Sequence, residues 1–194
     1  MNDVCLVNPS HGLSETFIPE DLIQDPTSGI WVCEVVLHAF IRLNNRLFNE
    51  WLEPLSLVSG YRSFIYQQKL FDKKIAFYQK QGMDETTAKI EAAKIVAVPG
   101  HSEHQLGLAI DVTTWSMRVL EDPLIISFGE TPTGKWLLKN SYLEGFVLRY
   151  PKDKTHITHI TYEPWHYRYV GIEVATVMKQ KGLCLEEYIA LNQG

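Results

Sequence analysis

The chain of 194 residues contains no long apolar run, few cysteines and no excess of positive charge. Its first residues, Met1 to Pro9, provide neither a basic segment nor the apolar stretch that a signal peptide or membrane anchor needs. We therefore expect a cytoplasmic protein that does not insert into a membrane. Lys and Arg number 18 against 23 Asp and Glu, and the formal net charge of −5 offers no positive surface to nucleic acid.

The three cysteines, Cys5, Cys33 and Cys184, are odd in number and far apart in the sequence. This pattern is unlike a disulfide framework, and it provides no C-x-x-C pair for a metal. Free cysteine most often packs as a small apolar side chain. We therefore predict buried thiols at these positions.

The sequence also lacks internal repeats, low-complexity tracts and linkers rich in proline, glycine or serine. Its length suits one compact domain, and 45% hydrophobic with 21% charged residues are typical of a globular protein with a full core. We predict a single domain over residues 1–194.

Hydrophobic periodicity and turn residues predict helices first and strands later in the chain. The predicted helices cover residues 30–51, 63–80 with Ser63 as N-cap, 84–96 with Asp84 as N-cap, 132–140, 168–181 and 185–191. The predicted strands cover residues 55–59, 108–113, 145–149 and 157–162. Because strands and helices do not alternate regularly, the pattern indicates an α+β fold with a mainly antiparallel sheet flanked by helices.

Seven histidines raise the question of a metal site, and the first of two suitable clusters contains His104 and Asp111. His104 comes just before the predicted strand 108–113, and Asp111 lies on the polar face of that strand. Gly107 and Ala109 leave space above the strand, so an imidazole and a carboxylate can converge on one point. A catalytic zinc ion takes three protein ligands and keeps its fourth position for water, so a third ligand must come from elsewhere.

The tetrapeptide Glu163-Pro-Trp-His166 provides a candidate for the third ligand. Pro164 favours extended geometry at Glu163, which indicates a turn at a strand end, where residues three apart can face one cavity. His166 is then the candidate ligand, and Glu163 is the candidate base that takes a proton from the attacking water. The motif H-E-x-x-H is absent, which excludes a standard zincin.

Other interpretations of nearby polar residues stay open at this point. His156 and His159 form a competing metal pair, although no carboxylate shares their predicted strand face and two lysines lie close to them in sequence. His101 is either a residue that supports the metal ligands or a turn residue. Arg62 is either a solvated arginine at a helix start or a fixed donor for developing negative charge, and spacing does not decide between these roles.

Three motifs carry a family resemblance. They are Ser59-Gly-Tyr-Arg62-Ser, Gly100-x-Ser102-Glu-His104-Gln-x-Gly107-x-Ala109-x-Asp111 and Glu163-Pro-Trp-His166-Tyr-Arg-Tyr-Val-Gly171. Together they resemble the zinc D-Ala-D-Ala peptidases of vancomycin resistance, above all the bifunctional VanXY type, related to the VanX dipeptidases and VanY carboxypeptidases (LAS-type peptidases). The motifs occur in the family's order and spacing over residues 59–171, and three coupled motifs are far more specific than one.

The resemblance implies a hedgehog and D-Ala-D-Ala-peptidase-like fold, with a zinc ion held by His104, Asp111 and His166. It also implies Glu163 as the general base and Arg62 as the group that stabilises the tetrahedral oxyanion. A non-catalytic zinc module of the hedgehog kind is disfavoured because Glu163 and Arg62 are both present.

The resemblance extends to substrate binding, with one departure. Ser102 and Gln67 match positions that bind substrate in similar enzymes, the alternative being ordinary polar residues near a cleft. Some VanXY-type relatives carry Asp immediately before Gly-Tyr-Arg, where this chain has Ser59. If that Asp selects the amino end of the substrate or orients Arg62, Ser59 changes the balance between dipeptidase and carboxypeptidase activity.

The expected activity is zinc-dependent hydrolysis of a small peptide substrate. The substrate is D-Ala-D-Ala or the C-terminal D-Ala of cytoplasmic peptidoglycan precursors, and its hydrolysis depletes the target of vancomycin and so gives resistance. The alternative is a D,D- or L,D-carboxypeptidase of cell-wall remodelling that has no role in resistance.

Overall fold

The computed structural model describes residues 4–192; residues 1–3, part of the start predicted to carry no signal peptide, lie outside the described residues. The strands are β1 (Leu22–Gln24), β2 (Trp31–Cys33), β3 (Leu55–Ser59), β4 (Ala109–Thr114), β5 (Phe146–Leu148) and β6 (His166–Tyr169). The helices are α1 (Glu34–Asn49), α2 (Phe64–Lys80), α3 (Glu85–Ala93), α4 (Pro132–Asn140), α5 (Thr155–Thr158), α6 (Ile172–Lys181) and α7 (Leu185–Asn192). Short 3₁₀ helices lie at Glu103–Leu106, Ile126–Glu130, Ser141–Glu144 and Lys152–Lys154.

A four-stranded antiparallel sheet, in the order β3-β4-β6-β5, forms the centre of the fold. The register between β4 and β6 places Asp111 directly opposite His166. Strands β1 and β2 form a separate antiparallel pair. The predicted α+β class with a mainly antiparallel sheet is confirmed.

Helix α1 packs its apolar face against the residues of β3 and β4 that point to one side of the sheet. The cluster contains Val36, Ala39, Phe40, Leu43 and Leu47 of α1 with Leu55, Leu57, Ile110 and Val112 of β3 and β4. Burial of this surface stabilises the fold by roughly 25 cal/mol per Å² of apolar area. Because successive strand residues point to opposite faces, the other face of β4 carries Asp111.

The helices begin where the sequence provides a capping residue. Ser63 Oγ accepts a hydrogen bond from the Tyr66 backbone N–H at 3.2 Å, and Asp84 Oδ1 accepts one from that of Thr87 at 3.0 Å. Both predicted N-caps are confirmed, and each satisfies one of the donors that a helix start leaves unpaired. Among residues 4–192, no helix combines the length and the apolar character that a membrane crossing needs.

Three predicted elements differ in the structure, two of them because strand pairing decides them. Residues 31–33, predicted as helix, form β2 by pairing with β1. Residues 168 and 169, also predicted as helix, belong to β6, and Gly171 with a φ of 82° precedes α6. The predicted strand 157–162 does not form, since α5 ends at Thr158 and His159 has a left-handed φ of 59°.

The cysteines divide into two buried residues and one exposed residue. Cys33 and Cys184 are buried as predicted, whereas the prediction is wrong for Cys5, which is exposed. Burial raises the pKa of Cys33 to about 12 and that of Cys184 to about 11. Both buried thiols are therefore neutral and unreactive at physiological pH.

Candidate metal centre and catalytic cleft

His104 lies in the 3₁₀ helix Glu103–Leu106, which leads into β4. Gly107 ends this turn with a φ of 68°, in the left-handed region that favours glycine. A Cβ at Gly107 would lie 2.7 Å from Cys33 Sγ, which is too close for a real contact. The tight turn before β4 therefore depends on glycine, and it places the His104 imidazole beside the Asp111 face of that strand.

His104, Asp111 and His166 converge on one point. Asp111 Oδ1 lies 3.1 Å from His166 Nδ1, and Asp111 Oδ2 lies 3.3 Å from His104 Nε2. One ligand atom from each residue lies within 4.8 Å of the other two, and all three residues are buried. The structure thus brings together the three residues that the sequence suggests as metal ligands.

The hydrogen bonding of these side chains fits a cation. His104 Nδ1 lies 2.6 Å from the carbonyl oxygen of Gly60, which can only accept, so Nδ1 carries the proton and Nε2 presents a lone pair. His104 Nε2 and Asp111 Oδ1 are buried without a hydrogen-bond partner, although buried polar atoms normally have one. Two imidazoles and one carboxylate form a donor set that zinc accepts.

The electrostatics of the three side chains also favour a cation. Burial and the nearby Arg62 guanidinium lower the pKa of His104 to about 4, so its imidazole is neutral. Burial alone would lower the pKa of His166, but the nearby carboxylates of Asp111 and Glu103 outweigh burial and raise that pKa to about 9, so without a metal this imidazole carries a proton that a bound cation would replace. Burial alone would raise the pKa of Asp111, but His104 and His166 hold it well below its usual range. Asp111 is therefore a buried anion that attracts a cation.

Glu163 and Arg62 flank these residues. Glu163 Oε2 lies 3.7 Å from His166 Nδ1, and Arg62 Nη2 lies 3.7 Å from Asp111 Oδ2. Burial raises the pKa of Glu163 to about 7, a value that suits a group that accepts and returns a proton near neutral pH. The backbone N–H of Arg62 donates to the His104 carbonyl oxygen at 3.1 Å, while Arg62 Nε is buried without a partner. The guanidinium thus has donor capacity for a ligand.

These side chains line a cleft of about 290 Å³, close to the lower end of the range for small-molecule pockets. Gln67 and Ser102 also line it, and both are buried. Gln67 Nε2 donates to the Ala97 carbonyl oxygen at 2.7 Å, whereas Gln67 Oε1 is buried without a partner and can accept from a ligand. Trp165, which the sequence suggests as a structural or wall residue, is part of the lining. Sequence reasoning assigned no role to several other wall residues: Ile95, Val96, Ala97, Asp122, Leu124, Tyr150 and Ile160.

Ser59 differs from the other predicted substrate-binding residues because it is not among the residues that line this cleft. It ends β3 at the position that pairs with Asp111 across the sheet. Opposite residues of an antiparallel pair have Cβ atoms about 4.5–5.5 Å apart, so Ser59 is a neighbour of a ligand residue rather than part of the wall. Its role in substrate binding stays a prediction.

The other histidines considered as ligands or supporting residues are not part of this group of three. His156 and His159 are exposed, and no third metal-ligating side chain joins them within residues 4–192. His101 lies in a turn, where its backbone N–H donates to the Val98 carbonyl oxygen at 2.8 Å and its Nδ1 lies 2.9 Å from the Asn8 carbonyl oxygen. These contacts fit the interpretation of His101 as a turn residue.

Sequence reasoning missed a charged cluster behind the centre. Glu103 belongs to the second motif, where the resemblance implies no role for it, yet it is buried between Arg149 and Arg168. The sequence gives no local signal for this burial, since residue 168 is predicted to start a helix and charged residues are almost never fully buried unless they are paired. Glu103 and Arg149 are 46 positions apart in the chain, and nothing in the intervening sequence indicates their contact.

Known proteins resemble this chain in sequence. Residues 32–172 match the VanY family, described as D-alanyl-D-alanine carboxypeptidase. A D-alanyl-D-alanine carboxypeptidase of Enterococcus faecalis is 48% identical over 133 residues, which are 69% of this chain and 46% of that protein. The bifunctional D-Ala-D-Ala dipeptidase and carboxypeptidase VanXYC of Enterococcus gallinarum is 34% identical over 192 residues, 97% of this chain and 94% of that protein. The chain thus spans about half the length of the first relative and nearly all of the second.

Solved structures resemble the chain in fold. The vancomycin resistance D,D-pentapeptidase VanY of a VanB-type cassette, solved in complex with Zn(II), has a TM-score of 0.82 and 39% identity, covering 95% of this chain and 97% of that chain. The LD-carboxypeptidase LdcB has a TM-score of 0.82 and 34% identity, covering 95% of this chain and 84% of that chain. One fold therefore accompanies both D,D- and L,D-peptidases among these neighbours.

Proposed function

The chain belongs to the VanY family of D-alanyl-D-alanine carboxypeptidases, and we propose that it is a zinc peptidase that hydrolyses the D-Ala-D-Ala peptide bond. The bond is that of the free dipeptide or of the C-terminus of a peptidoglycan precursor. The observation that carries the proposal is the convergence of His104, Asp111 and His166 within 4.8 Å, in a cleft that also contains Glu163 and Arg62. The names of the E. faecalis and E. gallinarum relatives support this substrate class.

In this proposal residues 1–194 form a single peptidase domain. The family match over residues 32–172 and the alignment with VanXYC over 97% of the chain support this assignment. His104 Nε2, the Asp111 carboxylate and His166 Nδ1 hold the zinc ion. When bound, zinc polarises the scissile carbonyl group and lowers the pKa of a water molecule toward neutrality.

Glu163 is the general base of the proposed reaction. Its carboxylate accepts a proton from the attacking water and then delivers that proton to the amine of the leaving D-Ala. A pKa of about 7 suits both steps, because the carboxylate is substantially ionised at neutral pH and its acid form is still able to donate.

Arg62 stabilises the negative charge that develops on the scissile carbonyl oxygen. Its planar guanidinium provides fixed donors for an oxyanion or a carboxylate, which suits a substrate that ends in a free carboxylate. Gln67 Oε1 and the Ser102 hydroxyl provide further polar contacts to the substrate in the same cleft. Ser59, opposite Asp111, influences which substrate amino end is preferred.

A second candidate function is L,D-carboxypeptidase activity in cell-wall remodelling. The likeness to LdcB favours it, with a TM-score equal to that of the VanY structure. The D,D activity is preferred because the sequence relatives named above are D-Ala-D-Ala peptidases and the chain aligns with VanXYC almost end to end.

Product analysis with the purified chain tests both activities. D-Ala release is measured by chromatography from D-Ala-D-Ala, from a pentapeptide ending in D-Ala-D-Ala and from a tetrapeptide whose last bond is L,D. We expect stoichiometric zinc by elemental analysis and D-Ala release from at least one D-Ala-D-Ala substrate, abolished by a chelator. Release from the tetrapeptide alone would favour the L,D activity, and absence of bound zinc would contradict both.

Vancomycin resistance follows from D,D activity when the substrate is the dipeptide or a precursor that has not been exported, since hydrolysis removes the D-Ala-D-Ala end. This role needs the cytoplasmic location that the sequence predicts. Expression of the chain in a sensitive host, with Glu163→Ala as the inactive control, tests it by the vancomycin concentration that stops growth.

A further inference from the structure

A buried cluster of four charged residues lies behind His166. Arg149 Nε and Arg168 Nη1 each lie 2.8 Å from Glu103 Oε1. The other side of the Arg149 guanidinium donates to both carboxylate oxygens of Glu186 on α7, at 2.6 and 2.9 Å. The side chains of Glu103 and Arg149 are 0% exposed and that of Arg168 is 1% exposed. The two negative and two positive charges balance.

Stability alone does not account for this cluster. Removing charges from water costs several kcal/mol for each ion, and buried ion pairs often do no better than apolar residues of the same volume. Conformational specificity is the better-attested use of such groups. The place of the cluster, one residue before His104 and against His166, points to the orientation of a side chain in the metal centre.

Glu103 has one oxygen fully engaged and one oxygen free. Both arginines approach Oε1, whereas Oε2 is buried without a hydrogen-bond partner. Oε2 lies 3.9 Å from His166 Nε2, which is also buried without a partner. This separation exceeds a hydrogen-bond length, neither atom has another hydrogen-bond partner within residues 4–192, and a shift of the imidazole toward Oε2 would complete the pair. Because Arg149 Nε donates to Oε1 and Arg168 Nη1 lies 2.8 Å from it, Glu103 is paired as a carboxylate, which can only accept.

From this geometry we infer that Glu103 is a positioning residue for His166: its Oε2 accepts a hydrogen bond from Nε2–H and so keeps the lone pair on Nδ1. Nδ1 is the nitrogen that faces Asp111 at 3.1 Å and Glu163 at 3.7 Å. Metal-ligating histidines commonly donate their second ring N–H to a carboxylate in this way. The inference rests on the proposed zinc site.

The arginines determine what a glutamine at position 103 would do. Because Arg149 Nε donates to Oε1 and the positive Arg168 Nη1 lies 2.8 Å from it, the amide oxygen of Glu103→Gln takes that place and its NH₂ group faces His166 Nε2. Two donors cannot pair, so the imidazole places its proton on Nδ1 and presents Nε2 as acceptor. The tautomer of His166 is thereby reversed, and Nδ1 no longer offers a lone pair to the metal.

We expect Glu103→Gln to weaken zinc binding by about 10–100-fold, the usual effect of removing such a supporting carboxylate. The matched control is Glu186→Gln, which removes one negative charge from the same arginine without touching His166. It leaves the zinc dissociation constant unchanged. Zinc affinity is measured by competition with a chromophoric chelator, and melting of the chelator-treated proteins reports any loss of stability separately.

The tautomer of His166 is a second readout, and it would not change if Glu103 had a purely structural role. Long-range ¹H–¹⁵N spectra of zinc-free protein, recorded at a pH at which the His166 imidazole is neutral, should show protonated Nδ1 and bare Nε2 for His166 in Glu103→Gln but not in the parent chain. If the parent binds zinc, and Glu103→Gln shows the same zinc affinity and the same His166 spectrum as the parent, the inference is overturned while the proposed function stands. A parent that binds no zinc would overturn the proposed function and the inference with it.

A measurement on the parent chain covers the case in which Glu103→Gln does not fold. In the zinc-loaded protein the Nε2–H proton of His166 should resonate far downfield and exchange slowly with water, as a buried proton bonded to a carboxylate does. Exchange as fast as that of an exposed imidazole would contradict the role of Glu103.

Discussion

The two faces of strand β4 carry side chains of different chemistry. Ile110 and Val112 lie on one face, within the apolar cluster under α1, and are 1% and 0% exposed. Asp111 between them is 4% exposed and lies among the imidazoles of the candidate centre. Both faces are buried, but only the apolar face gains from leaving water, whereas the polar face pays a desolvation cost.

This difference separates the residues that stabilise the fold from those of the candidate site. The apolar face makes packing contacts that are complete in the folded chain. The polar face keeps His104 Nε2 and Asp111 Oδ1 without partners, at a cost to folding that ligand binding can offset. Changes on the apolar face should therefore alter the free energy of unfolding with or without zinc, and changes on the polar face should alter chiefly the response to zinc.

The largest effect is expected at a proposed metal ligand. His166→Ala should lose stoichiometric zinc by elemental analysis and reduce D-Ala release to background. Because zinc at a hundred times its dissociation constant stabilises a protein by about 2.7 kcal/mol, the parent should melt higher with zinc and the variant should not. His38→Ala, at an exposed position of α1, is the control and should keep both zinc and activity. Zinc bound at full stoichiometry by His166→Ala would contradict the ligand assignment.

Glu163→Ala separates metal binding from chemistry on the same face. It should retain zinc and lower kcat by about 10²–10⁴-fold, the usual contribution of a positioned general base. Glu173→Ala removes an exposed glutamate on α6 and should leave kcat unchanged. A near-parental kcat for Glu163→Ala on the preferred substrate would show that another group takes the proton.

Leu43→Ala addresses the apolar face. Leu43 is 1% exposed in the α1 cluster, so its truncation should lower the free energy of unfolding by about 2–5 kcal/mol. The exposed Ile41 on the same helix is the control, and Ile41→Ala should stay within about 0.5 kcal/mol of the parent. Denaturant unfolding with and without zinc measures both. The zinc-induced gain should be the same in Leu43→Ala and the parent, and its disappearance would mean that the two faces are coupled.

Gly107→Ala tests the turn that delivers His104 to the polar face. Its left-handed backbone and the 2.7 Å approach to Cys33 Sγ should together cost about 1–3 kcal/mol, with weaker zinc binding as the turn shifts. Gly182→Ala has a similar φ of 64° but open space around the new Cβ. The difference between the two variants in chemical denaturation isolates the steric contact, and equal losses would show that only the backbone conformation matters.

Ser59→Asp is expected to have the smallest effect. A carboxylate at this position, opposite Asp111, should attract the free ammonium group of the dipeptide, which the pentapeptide lacks at the scissile residue. A favourable contact of about 1.4 kcal/mol would raise the ratio of kcat/KM for D-Ala-D-Ala over the pentapeptide tenfold. Ser59→Asn adds similar bulk without charge and should leave the ratio unchanged. A ratio that does not rise in Ser59→Asp would place position 59 away from the substrate amine.

Local patterns in the sequence predicted much of the fold. The strand 55–59, the N-caps Ser63 and Asp84 and the helix 132–140 all form where they were expected, because their signals lie within a few residues of the element. The motif spacing likewise led to the residues that line the cleft, with Glu163 and His166 three residues apart in one turn.

Tertiary structure decided what depends on distant partners. Residues 31–33 and 168–169 became strand because their pairing partners outweigh helical periodicity, and those partners lie outside any local window. The register that sets Asp111 opposite His166, the placement of Ser59 outside the cleft wall and the enclosure of Glu103 by Arg149 and Arg168 all arise the same way. Sequence by itself determined which chemical groups this protein has and which local elements carry them. Only the folded chain determined which of those groups meet, because side chains far apart in sequence come within hydrogen-bond range only after the sheet has paired and excluded water.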